Sequence, residues 1–226
     1  MASRKEEKEQ RRRERLEKER ALEQQSRQRR LYTIVAGGVL SIAAVAAIVI
    51  AVAAGGGGGG AAGGTGLKVR ATDPPTPKQT DLVKAASIAG CKLFNPPIEG
   101  RLHTLKPVHY KTNPPSSGNH NPIPTPDGAY GTAPVIYHLV HSLEHGRIEI
   151  QFRPSLSQKW VAELKGLFDQ DSYHMILTPN PTKMPYQLAA VAWGHIAGCK
   201  RISDASFDVI RDFTTRYRDK GPEFIP

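Results

Sequence analysis

The chain has 226 residues, with 31 Lys or Arg against 21 Asp or Glu, so its formal net charge at neutral pH is +10. This length suits one domain of ordinary size together with shorter appended segments. The sequence contains no internal repeat and no P-loop, which argues against repeat proteins and the P-loop nucleotide-binding folds.

Residues 1–30 form a highly charged tail. They include twelve Lys or Arg and seven Glu, and no aromatic residue. Because such a segment cannot bury a core, it is predicted to be solvated and partly helical. We expect no nucleic-acid partner, since acidic residues are interleaved throughout the tail and no ring is present to stack on bases.

The apolar segment 31–54 is predicted to cross a membrane. It carries no charge, and twenty-four helical residues span about 36 Å, more than a hydrocarbon core of about 30 Å. Arginines abut its N-terminal end and the next basic residue is Lys68, so the tail is expected in the cytoplasm and the rest outside. A signal peptide cleaved after Ala53 is the alternative, but the long charged leader favours a retained signal anchor.

Residues 55–80 are predicted to be a Gly/Ala/Pro-rich tether, and residues 81–226 an exported globular domain. Both cysteines of the chain, Cys91 and Cys199, lie in this domain. A single pair in an oxidising compartment most simply forms a disulfide. A metal site built on these thiols is the alternative, and it is disfavoured because neither cysteine has C-x-x-C spacing.

The predicted fold is an α+β domain with a small sheet of about four strands and two to four helices. The helices are expected at residues 133–145, from Ser155 or Ser157 to 168, and after a Ser203 cap. The strands are expected at residues 102–110, 147–153, 173–177 and 187–193, and an irregular proline-rich loop at 114–127.

The helix at 133–145 has a distinctive pattern. His138, His141 and His145 fall within about 60° of one another on a helix of 3.6 residues per turn. The aliphatic residues of the same segment lie roughly opposite them. The helix is therefore predicted to bury its aliphatic side and to present a row of histidines to something else, which decides the function.

A metal site is one interpretation of this row. Copper(II) and zinc favour imidazole ligands, and His141 and His145 have the i, i+4 spacing of a helical ligand pair. His138 extends the row, His120 in the proline-rich loop or His109 could complete the site, and Glu144 could be a ligand or orient one. The alternative is structural: a solvated helix face, or histidines that hydrogen-bond within a scaffold.

The segment from His141 to His145 also fits H-x-x-E-H, the inverted zinc-protease motif. In that chemistry the two histidines hold zinc, and Glu144 activates the bound water. A downstream third ligand is required, for which Glu223 is the late candidate. A five-residue motif arises easily by chance and the domain is small for a protease, so we favour a protein that is not an enzyme.

Four ordered blocks carry a family resemblance: the Pro114–His120 loop, the turn at 128–130, the HSLEHG block at 141–146 and the AWG segment at 192–194. Together they resemble an uncharacterised, mostly bacterial family, domain of unknown function 3105. The loop departs mildly from the family pattern, with Ser117-Gly118-Asn119 after Pro114 and Pro115. The resemblance implies an N-terminal membrane anchor or export signal and no established activity. Three functions stay open: a metal-binding domain, a scaffold for an unspecified protein partner, and a small zinc hydrolase.

Overall fold

The computed structural model describes residues 66–223. The predicted charged tail, the predicted membrane span at 31–54 and residues 55–65 of the predicted tether lie outside these residues. Within residues 66–223, no helix has both the length and the apolar character needed to cross a membrane.

The described residues form four helices and six strands, which confirms the α+β class. The helices are α1 (Leu82–Ala89), α2 (Ile136–Glu144), α3 (Gln158–Gln170) and α4 (Asp204–Tyr217). The strands are β1 (Cys91–Phe94), β2 (Gly128–Ala129), β3 (Ile148–Phe152), β4 (Met175–Pro179), β5 (Leu188–Ala192) and β6 (His195–Cys199). The prediction of about four strands is therefore wrong.

All six strands belong to one sheet, in the order β1-β6-β5-β3-β4-β2. β3 lies inside it, parallel to β4 and antiparallel to β5. β6 was missed because Ala197 and Gly198 give a weak strand pattern. A Cβ on Gly198 would lie 2.5 Å from the Tyr186 ring, so close packing of that ring excludes a larger residue.

The strand predicted at residues 102–110 does not form. The segment is irregular, and its only bridge among the described residues joins His103 to His120. Leu102 and Leu105 are exposed, so the apolar pattern of the segment does not correspond to a buried face. Pro107 also lacks the N–H group that a paired strand would use.

The sheet separates two apolar clusters. The larger lies under α1, α3 and α4 and includes Ile148, Ile150 and Phe152 of β3. The smaller contains Val140 and Leu143 of α2, together with Val191 and Trp193. Every residue of β3 is buried because both faces of the strand are covered.

Local sequence determines several helix ends. Ser203 and Ser206 form a capping box at the start of α4, as the sequence predicts. Ser157 precedes α3 without making a side-chain cap bond. After α2, Gly146 has a φ of 83°, and the N–H of Arg147 donates to the Ser142 carbonyl at 3.1 Å, the pattern of a Schellman motif.

The predicted disulfide is present. Cys91 and Cys199 face each other on β1 and β6, and the bond between them closes a loop with a sequence separation of 108. It joins the beginning of the described domain to the last strand of the sheet.

Candidate metal centre

On the histidine face of α2, His141 and His145 are buried and His138 is half-buried, so this face is not a solvated one. His141 and His145 are 3% and 7% exposed, and Glu144 between them is 2% exposed. The proline-rich loop covers this face. The N–H groups of Asn121 and Thr125 donate to carbonyls of α2 at 3.3 and 3.1 Å, and the Ser142 hydroxyl donates to the Thr125 carbonyl at 2.8 Å.

The Pro114–His120 segment of the proline-rich loop, called the motif loop below, orients His120. Residues 114–118 are buried, and the Gly118 carbonyl accepts a hydrogen bond from His120 Nδ1 at 2.7 Å. Gly118 has a φ of 135°, and a Cβ there would lie 2.7 Å from the Tyr110 ring, so glycine is required. The Ser117 hydroxyl accepts from the Glu99 N–H at 3.1 Å. The Gly118 carbonyl thus fixes the ring of His120, while Pro114, Pro115 and Ser117 belong to the buried part of the same loop.

The motif loop also contacts the AWG segment. The N–H of Gly194 donates to the Ser116 carbonyl at 2.8 Å, and the rings of His120 and Trp193 meet edge to face with centroids 6.0 Å apart. Two of the sequence blocks that are far apart in the chain therefore meet beside His120, which is completely buried.

His120 and Glu144 form an unusual buried pair. His120 Nε2 and Glu144 Oε2 lie 2.9 Å apart, yet neither atom has a hydrogen-bond partner among residues 66–223. Because a carbonyl oxygen can only accept, His120 Nδ1 carries a hydrogen, and Nε2 presents a lone pair to Glu144 when that is the only hydrogen on the ring. Two buried acceptor atoms at this distance repel each other unless a cation or a proton lies between them.

His141 and His145 are the second close pair. His141 Nδ1 donates to the Asn121 carbonyl at 2.7 Å, and the two Nε2 atoms are 2.8 Å apart. Burial, together with the neighbouring imidazoles, lowers the pKa of His141 to about 4, although the hydrogen bond to the Asn121 carbonyl raises it in part. Burial also lowers the pKa of His145, as does Arg147. Both rings are therefore neutral at pH 7, the state in which imidazole binds metals.

The potential metal ligands form two overlapping groups. In the first, ligand atoms of His103, His120, His141 and Glu144 all lie within 4.8 Å of one another, and we call these four residues the inner cluster. In the second, ligand atoms of His141, His145 and Glu223 lie within the same distance. His141 belongs to both groups.

The sequence predicts six candidate metal ligands. The structure brings four of them into the two ligand groups: His120, His141, His145 and Glu144. His138 and His109 belong to neither group. His103 was missed because it falls in the segment predicted as a strand. Its bridge to His120 brings its Nε2 to 3.6 Å from Glu144 Oε2, a contact that no spacing in the sequence indicates.

The fold and this site define an α+β domain that carries a largely buried cluster of histidines and a carboxylate. The sequence matches the family described as "Protein of unknown function (DUF3105)" over residues 102–225, more than half of the chain. The chain belongs to that family. No curated protein and no solved structure matches this chain.

Proposed function

We propose that this protein is a membrane-anchored, extracytoplasmic domain that binds one metal ion, copper(II) or zinc, at the inner cluster. The observation that supports this best is the close approach of two buried atoms without hydrogen-bond partners, His120 Nε2 and Glu144 Oε2, at 2.9 Å. A bound cation would interact favourably with both atoms and would remove the cost of leaving them without partners.

The donor set fits a borderline metal. The inner cluster offers three imidazoles and one carboxylate, the ligand types that copper(II) and zinc accept. His120 and His141 also donate from Nδ1 to backbone carbonyls. Such bonds from the other ring nitrogen orient histidines that bind a metal. Each ring is thereby held with Nε2 as its available ligand atom.

The close spacing favours copper(II). Two ligand atoms each about 2.0 Å from a metal lie about 2.8 Å apart at an angle near 90°, and about 3.3 Å apart at the tetrahedral angle. Within the inner cluster, the spacing is 2.9 Å for His120 Nε2 and Glu144 Oε2. This distance suits the tetragonal geometry of copper(II) better than the tetrahedral geometry of zinc.

Elemental analysis of the full-length chain tests the proposal directly. We expect about one equivalent of copper or zinc, and Glu144→Gln should lose most of it because it replaces an anionic ligand with a neutral amide. His109→Ala is the control, since His109 lies outside both ligand groups. A metal-free wild type that gains no thermal stability from added copper(II) or zinc would contradict the proposal.

The membrane anchor is supported by the apolar segment 31–54 and by the arginines before it. Protease added to intact cells should digest the domain and spare residues 1–30. A soluble product whose first residue lies near Ala54 would instead indicate a cleaved signal peptide.

A non-enzymatic scaffold is the second candidate function. The bond from His141 to the Asn121 carbonyl also fastens the loop to α2 without any metal, and the bond from His120 to the Gly118 carbonyl holds His120 within the loop. In that case the histidine variants would destabilise the chain equally with and without metal. The zinc-hydrolase hypothesis is less favoured, because Glu144 groups with His120 rather than with His145 and Glu223.

A further inference from the structure

The last described residues, 219–223, bring a carboxylate to the end of α2. The N–H of Asp219 donates to the Gly146 carbonyl at 2.9 Å, and the N–H of Glu223 donates to the Glu144 carbonyl at 3.1 Å. Asp219 Oδ1 also lies 2.6 Å from His174 Nδ1. These contacts fix the backbone of the segment and place Glu223 Oε2 at 3.6 Å from His145 Nε2.

We propose that His141, His145 and Glu223 form a second metal position, the outer position, which exchanges its ion with the inner cluster through His141. This inference rests on the proposed function. The outer position offers two imidazoles and one carboxylate within 4.8 Å of one another, so it would take the same borderline metals.

The two positions exclude each other because they share one ligand atom. His141 Nδ1 is occupied by the Asn121 carbonyl, so only Nε2 of this ring is available to a metal. That atom lies 2.8 Å from His145 Nε2, which must carry the hydrogen of this contact in the metal-free chain. An ion at the outer position would bind His145 Nε2 in place of that hydrogen. An ion at the inner cluster would bind the lone pair of His141 Nε2, so the His145 hydrogen would lose its acceptor.

Solvent exposure gives the exchange a direction. The side chain of Glu223 is 46% exposed, whereas those of His145, His141 and His120 are 7%, 3% and 0% exposed. An ion captured from water by Glu223 and His145 can reach the buried His120 and Glu144 by changing partners around His141. His103, a member of the inner cluster whose side chain is 45% exposed, offers the cluster a separate approach from solvent.

Calorimetric titration of the full-length chain with copper(II) tests the proposal. The wild type should bind one ion, since His141 Nε2 cannot serve two. Glu144→Gln should retain binding that is weaker by about 10–100-fold, as expected when a metal site loses a supporting group. Adding Glu223→Gln to this background should weaken the residual binding by about a further ten-fold. His141→Ala should remove binding at both positions.

Asp73→Asn in the Glu144→Gln background is the matched control, because Asp73 is an exposed carboxylate outside both ligand groups. It should leave the residual binding unchanged. Because Glu144 is buried, His103→Ala provides a second weakened background if Glu144→Gln melts early.

Several results would overturn the outer position. They are two ions bound per wild-type chain, no residual binding in either weakened background, or residual binding that Glu223→Gln leaves unchanged. Wild-type affinity in Glu144→Gln and His103→Ala would instead contradict the inner cluster, so failure of the two proposals can be distinguished.

Discussion

Gly146 and Asp219 lie in backbone contact at the C-terminal end of α2. A Cβ on Gly146 would lie 2.8 Å from the Asp219 Cα, and the Gly146 carbonyl accepts the Asp219 N–H at 2.9 Å. The left-handed φ of Gly146 ends the helix. Because glycine has no Cβ, the same residue also leaves room for the segment that carries Glu223.

Gly146→Ala should therefore destabilise the domain more than Gly90→Ala does. Both glycines are left-handed, so each substitution costs about 1–2 kcal/mol of backbone strain. Only at Gly146 must backbone also move, which adds about 1–3 kcal/mol of overpacking. Urea unfolding of both variants measures the difference, and equal losses would contradict the contact with Asp219.

His103→Ala should separate metal binding from stability. His103 is exposed, so the free energy of unfolding of the metal-free chain should change by less than about 0.5 kcal/mol. Affinity for copper(II) should fall by at least about ten-fold, because one of the four inner ligands is lost. His109→Ala, an exposed histidine outside the cluster, should change neither quantity. Equal affinities for the two variants would remove His103 from the site.

Glu149→Gln should change the pH dependence of stability. Glu149 is buried on β3, where burial raises the pKa of its carboxyl to about 8 from an ordinary value of 4.5, and the hydrogen bond from Gln151 offsets only part of that rise. The folded chain therefore keeps a proton that the unfolded chain releases, so this group lowers stability progressively as the pH rises from about 4.5 to about 8.

A glutamine at position 149 cannot titrate, so it removes this loss. The variant should gain stability relative to the wild type as the pH is raised across that range, and denaturant titrations at pH 5 and pH 8 measure it. The lowered pKa of His141 acts in the opposite sense below about pH 6.5, but it is common to both chains and cancels in the comparison. A difference that does not vary with pH would show that Glu149 is ionised in the folded chain.

Cys91→Ser/Cys199→Ser should destabilise the domain strongly. The bond closes a loop with a sequence separation of 108, for which chain entropy gives a stabilisation of about 4–5 kcal/mol. Unfolding of this variant against the oxidised wild type measures the loss. Thiol labelling of unreduced, denatured protein from its native location should find no free cysteine, and two labelled thiols would show that the bond does not form there.

The elements that sequence predicts best are those whose pattern is local. α2 and α4 have clear apolar stripes, and Ser203 caps α4 as its neighbours indicate. β6 and β1 are harder, because a four-residue or glycine-containing strand is stabilised by its partners rather than by its own residues. The disulfide was predictable because the chain has only two cysteines.

The site was predictable in its residue types but not in its surroundings. The spacing of His141, Glu144 and His145 indicated the candidate ligands on the helix, and the proline-rich loop offered His120 as a further candidate. Periodicity could not show that the loop would fold over the histidines, since it reports one helix at a time. The same limitation hid His103, whose position depends on a single bridge to His120.

The division of the domain by its sheet has a consequence for hydrogen exchange. Every candidate ligand in the two groups is carried by α2, the loops packed on it or the C-terminal segment, while α3 lies over the larger cluster. Metal binding should therefore slow amide exchange in residues 136–144 and in the loop around His120, where opening would release the ion. Amides of α3 should exchange at the same rate in both states, which makes that helix an internal reference within each chain.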